Sequence, residues 1–260
     1  MHHYHLDHFA HGDSALHRLD ARAKLLAVLA YSLVLISFDR YAVTVLLPLA
    51  AGPLVMLWFA RIPVTFALRR VLILSPFIAM LCLLSPLYDH TRQAAALGAW
   101  TFTISGGWLT AADVAVKFCL GVLALTAMMA TTPFALLLEA LRRLGVPALL
   151  VAQLAMLYRY VFVLIEEAGR LRQARDFRGA AAAPAGRRLA AAGGIIAALF
   201  LRTLERSERV YTAMLARGYQ GLPPSLSRLR FHAGDAAFLA GAAAYLVFCR
   251  WVYPAMMGGL

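Results

Sequence analysis

The sequence predicts an all-α integral membrane protein, with about five transmembrane helices and a set of long amphipathic helices on the cytoplasmic side. Three observations carry that prediction. Of the 260 residues, 62% are hydrophobic and 15% charged, whereas a soluble domain carries about a quarter charged residues. The apolar residues gather into long runs instead of recurring at helix or strand period, which suits lipid as the surrounding solvent. The basic residues, 23 of the 25 of them arginine, fall mainly beside and between those runs.

A formal net charge of +12 would point to nucleic acid in a soluble chain. Here the placement of the charge argues for loops facing anionic headgroups and against a nucleic-acid partner.

A hydrocarbon core about 30 Å thick takes roughly 20 helical residues at 1.5 Å each. Five segments approach that length, at about 24–38, 41–60, 71–88, 112–131 and 236–254. The first is short, so its start is expected a turn earlier. Cys82, Cys119 and Cys249 lie inside these segments without the spacing of zinc or redox sites and read as small hydrophobes. The first 24 residues are polar and His-rich without a signal-peptide pattern, so the spans themselves would direct insertion.

Orientation follows from the basic residues, which are in excess on cytoplasmic flanks. With the N-terminus inside, 21 of the 25 face the cytoplasm, fifteen of them between 132 and 235. Only Arg40, Arg92, Lys117 and Arg250 lie outside or within spans. The expected layout is a tail and four spans over 1–131, a cytoplasmic helical module over 132–235 and a last span over 236–260, its C-terminus outside.

Within the module, Thr132-Pro133 reads as a helix start with a hydroxyl cap, and Gly145 with Pro147 closes that short helix. A second helix is expected over 147–178, amphipathic towards its C-terminal half. Its first half is apolar enough to span, but Gln153 and Arg159 would have to cross the core. A central Arg costs at least ~2.5 kcal/mol on insertion scales, which favours a helix packed under or partly within the bundle. A third helix is expected over 188–217, ended by Gly218.

Among polar residues elsewhere, Asp113 and Lys117 stand one helical turn apart, as an interfacial ion pair would. The N-terminal tract holds six of the eight histidines beside Asp7 and Asp13. It reads as a solvated tail, although imidazole and carboxylate together also suit a divalent transition metal. There is no phosphate loop, so ATP hydrolysis would need a partner, and no HExxH or GxSxG motif.

The two long module helices end alike, in Ala174-Arg175-Asp176-Phe177-Arg178-Gly179 and Ala216-Arg217-Gly218. Either end alone reads as capping, with Arg at the negative end of the helix dipole and Gly in the left-handed position. The same ending twice also suits docking in a partner's groove, because Arg forks onto carboxylates and small neighbours permit close approach.

The stretches HRLDARAKLL (17–26), TTPFALLLEALRRLGVP (131–147), QARDFRG (173–179) and ERVYTAMLARGYQG (208–221) resemble the T components of energy-coupling-factor (ECF) transporters, in particular the cobalt-type CbiQ family. The resemblance covers nearly the whole chain. It implies a non-catalytic, multi-pass subunit of the cell inner membrane that couples ABC-type ATPases, two copies or a pair, to a substrate-binding S component for cobalt. It also implies that no cofactor belongs to this chain, ATP and Mg being bound by the ATPases. Ala174, Arg175, Asp176, Arg178, Gly179, Ala216, Arg217 and Gly218 are the implied ATPase-coupling residues. Asp176 departs from the pattern by standing where Gly would. A T component for nickel or a vitamin remains an alternative. An intramembrane lipid-transfer enzyme is a further one, which the nearly bare spans disfavour.

Overall fold

A computed structural model describes residues 12, 14–38, 46–88, 92–97, 100–177, 184–219, 231–253 and 255. They are almost entirely helical. In chain order they form α1 (Ala15–Arg18), α2 (Ala21–Ile36), α3 (Leu47–Phe59), α4 (Val64–Tyr88), β1 (Arg92–Leu97), β2 (Trp100–Ser105), α5 (Gly106–Thr131), α6 (Phe134–Arg143), α7 (Ala148–Phe177), α8 (Ala185–Ala216) and α9 (Ala233–Val247). The last helix continues into a π turn over Phe248–Val252. The chain divides into two compact units, one of 6–140 with 229–260 and the other of 1–5 with 141–228.

In the first unit α5 packs against α2, α3 and α4, and α2 also packs against α9. Many large apolar side chains stay on the outside, among them Leu72, Ile73, Phe77 and Leu83 of α4. The interior mixes leucines with many alanines, Leu57, Ala60, Ala67, Ala127 and Ala130 lying in one cluster. Such an arrangement suits lipid, where close backbone approach replaces the hydrophobic effect as the cause of helix association.

Four helical segments are long and apolar enough to cross a membrane: Val64–Ser85, Gly106–Thr131, Ala148–Phe177 and Ala233–Val252. Pro48–Phe59 is a shorter apolar helix. The protein is a multi-pass membrane protein. By length and composition α7 therefore qualifies as a crossing helix, although Gln153 and Arg159 lie within it.

The expected first span does begin a turn early, because Asp20 caps α2 by accepting a bond from the Arg22 N–H at 2.9 Å. α4 starts seven residues before the expected 71: Pro63 sets the first turn, its carbonyl accepting from the Phe66 N–H. Arg70 then stacks over the Phe66 ring at 5.2 Å.

Two details depart from expectation. The Thr132 hydroxyl does not cap α6; it is buried without a hydrogen-bond partner among the described residues, and the Pro133 carbonyl takes the first helical bonds. The sequence reading also assigned no strand, whereas β1 and β2 form an antiparallel hairpin with Arg92 opposite Ser105 and Leu97 opposite Trp100. The alternating Thr, Phe, Thr and Ile of β2 suit a strand, and Gly98 separates the two runs.

Both lysines of the chain close helix ends within this unit. Lys24 of α2 donates to the carbonyl of Thr131, the last residue of α5, at 2.8 Å. Lys117 of α5 donates to the carbonyl of Phe38, just beyond α2, at 2.8 Å. A helix leaves its last carbonyls unpaired and its C-terminus partly negative, so each cation satisfies both needs of the neighbouring helix.

Candidate functional site

The predicted site residues sit at the C-termini of α7 and α8, both in the second unit. Leu149, Met156, Tyr160, Val163, Phe200 and Val210 line a cavity of about 690 Å³ between the two helices. Glu167 of α7 bridges Arg170 on its own helix at 2.9 Å and Arg202 across on α8. The pairing ties Arg202 of α8 to α7 at one level, while apolar side chains of both helices line the cavity.

The end of α7 carries Ala174, exposed, and Arg175, partly covered. Arg175 reaches the adjacent Asp176 with Nε at 3.0 Å and Nη2 at 2.8 Å, so this end is locally neutralised. The Asp176 carboxylate thus accepts both bonds from the Arg175 guanidinium. Arg178 and Gly179 lie outside the described residues.

The end of α8 is different. The Gly218 N–H donates to the Leu215 carbonyl at 2.9 Å and the Tyr219 N–H to the Met214 carbonyl at 3.0 Å, the two bonds of a Schellman cap. Gly218 takes the left-handed conformation that closes such a cap, with φ of 78°. Ala216 and Arg217 are exposed, and among the described residues the Arg217 guanidinium has no ion-pair or hydrogen-bond partner. Capping and presentation are therefore compatible here. The glycine turns the chain away, and the arginine is left on the surface with its donors free.

Sequence reasoning gave no role to a polar cluster in the first unit. Asp20 caps α2, and its own N–H donates to Asp235 of α9 at 2.7 Å. Asp235 also accepts from the His232 N–H at 2.7 Å, in a capping box at the start of α9. Lys24, which closes α5, lies near both carboxylates and is fully buried. An Asp four residues before a Lys at a helix start was legible as a signal; the partner Asp235, 215 residues away, was not.

The expected Asp113–Lys117 pair is formed at 2.9 Å, with Asp113 2% exposed and Lys117 half-buried. Lys117 is thus shared between the Asp113 carboxylate and the Phe38 carbonyl. Of the six histidines of the N-terminal tract only His17 is described, bonded to Ser14 Oγ at 2.6 Å. Among the described residues no group of three or more His, Cys, Asp or Glu could hold a metal.

The family model of the cobalt transport protein CbiQ matches residues 12–227. The chain belongs to the CbiQ family. It is 43% identical over 91 residues to the cobalt transport protein CbiQ of Rhodobacter capsulatus, covering 35% of this chain and 37% of that protein. Longer similarities reach the energy-coupling factor transporter transmembrane proteins EcfT. That of Acidaminococcus fermentans is 29% identical over 94% of this chain and 96% of its own length. That of Lacticaseibacillus paracasei is 28% identical over 83% of this chain and 85% of its own. As a CbiQ-family protein the chain is a membrane transport component, and both predicted helix ends lie inside the matched residues.

Proposed function

We propose that this chain is the non-catalytic transmembrane coupling subunit of an ATP-driven ECF importer for cobalt. It would transmit the motion of partner ATPases to a substrate-binding membrane subunit. The observation that carries this reading is the pair of long helices, α7 and α8, in contact with each other and each ending in an Ala-Arg step at the surface. The capped end of α8 presents an unpaired Arg217, which a carboxylate-bearing groove would fork onto. The self-paired Arg175 would exchange Asp176 for a partner acceptor on docking. ATP and Mg belong to the ATPases in this reading, and cobalt is favoured over nickel or a vitamin by the family's description. The cytoplasmic placement of 132–235, with the N-terminus inside and the C-terminus outside, rests on the distribution of basic residues.

The test replaces Arg175 and Arg217 with Glu, singly and together, and measures membrane abundance, co-purification with the ATPases and ATP-dependent cobalt uptake. A reversed charge facing a partner's acceptors costs roughly 2–5 kcal/mol, enough to deplete the complex at normal abundance. A helix cap alone is worth about 0.3–1 kcal/mol, and would leave uptake intact. Normal uptake in the double variant overturns the assignment, and nickel uptake without cobalt uptake would overturn the substrate.

A further inference from the structure

Two consecutive rungs of the α3 hydrogen-bond ladder are met by side chains from other helices. Pro53 has no N–H, so the carbonyl of Leu49 lacks its helical donor. The Tyr31 hydroxyl of α2 donates to that carbonyl at 3.1 Å. One position earlier stand the Gly52 N–H and the Pro48 carbonyl, which an α-helix pairs with each other. Here both bond the Tyr245 hydroxyl of α9, which accepts from Gly52 at 3.0 Å and donates to Pro48 at 2.6 Å. Gly52 makes the approach possible, since a Cβ there would lie 3.1 Å from Tyr245 Cε1. A cavity of about 390 Å³, walled by Ala27, Tyr31, Gly52, Gly241 and Tyr245 among others, opens at this point.

The two rungs differ in kind. The Leu49 carbonyl has one donor, and without Tyr31 it would be stranded in apolar surroundings, where no water replaces a lost bond. Gly52 and Pro48 have two satisfied arrangements: bridged by Tyr245, or bonded directly with the tyrosine withdrawn into the cavity.

We propose that these tyrosines form a conformational device in which Tyr31 anchors α3 to α2 and Tyr245 latches α3 reversibly to α9. α3 and α9 can then part at Gly52 without leaving a backbone polar group unpaired. A two-state element of this sort is what an energetic bias can move, because neither state leaves the Gly52 N–H or the Pro48 carbonyl unpaired.

The experiment uses the full chain in lipid nanodiscs, independent of any partner. Unfolding midpoints are measured for Tyr31→Phe, Pro53→Ala, Tyr31→Phe/Pro53→Ala and Tyr245→Phe. Distances are measured between genetically encoded spin-label residues at Val55 of α3 and Val247 of α9, both exposed. Tyr31→Phe should lower the midpoint, and adding Pro53→Ala should restore it, because the new N–H at position 53 reaches the Leu49 carbonyl. Tyr245→Phe should hold the midpoint near wild type while shifting the 55–247 distances towards a separation that is a minor population in wild type. Failure of Pro53→Ala to rescue Tyr31→Phe overturns the anchor. A midpoint that falls as far in Tyr245→Phe as in Tyr31→Phe, or unchanged distances, overturns the latch.

Discussion

Three residues with positive φ, Arg61, Gly145 and Gly218, end α3, α6 and α8. Each is followed by the backward bond of a Schellman cap: from Ile62 to Leu57, from Val146 to Leu141 and from Tyr219 to Met214. Arg61 is the exception in type, since a side chain in the left-handed region is strained where glycine is not. At Gly218 the strain can be isolated from crowding, because an added Cβ would meet nothing within 4 Å. Gly218→Ala is therefore expected to cost about 1 kcal/mol through conformation alone. The cost should appear as faster hydrogen exchange over the last turn of α8, with the global unfolding midpoint almost unmoved. Unaltered exchange would mean that the cap does not hold that turn.

Between elements, α2 and α5 exchange lysines. Lys24 closes the end of α5 and Lys117 the end of α2, while Asp20 and Asp235 serve the starts of α2 and α9. Each charge thus meets a helix terminus of opposite sign, which is why a cation and two carboxylates can be buried together. Removing one member leaves the others uncompensated. Lys24→Met should destabilise the chain by about 3–5 kcal/mol, seen as a large drop in unfolding midpoint and in membrane abundance. Lys24→Arg should not restore it, because a rigid guanidinium fork does not fit a site that holds a compact ammonium. A Lys24→Met variant as stable as wild type would show that the cluster contributes nothing net.

For the molecule as a whole, the distribution of charge makes a topological prediction. A reporter active only in the cytoplasm should be active when fused after Gly221 and silent after Leu260, on the bias of 21 basic residues to four. Cytoplasmic activity at the C-terminus would mean an additional crossing. α7 is the helix that would supply it, since Ala148–Phe177 is long and apolar enough to cross.

Membrane class, helix positions and the two similar helix ends were legible in the sequence, because composition, run length and glycine stops act locally. α7 and α8, expected over 147–178 and 188–217, run over Ala148–Phe177 and Ala185–Ala216. What the tertiary structure alone decided are pairings between residues far apart in the chain. Asp235 joins Asp20, Lys24 closes α5, and Tyr31 and Tyr245 complete α3 across 18 and 197 residues. The physical reason is that a buried polar group must find a partner, yet nothing in its own segment states which distant backbone will offer one. Pro53 announces that a carbonyl is left open; only the packing of α2 against α3 says that Tyr31 closes it.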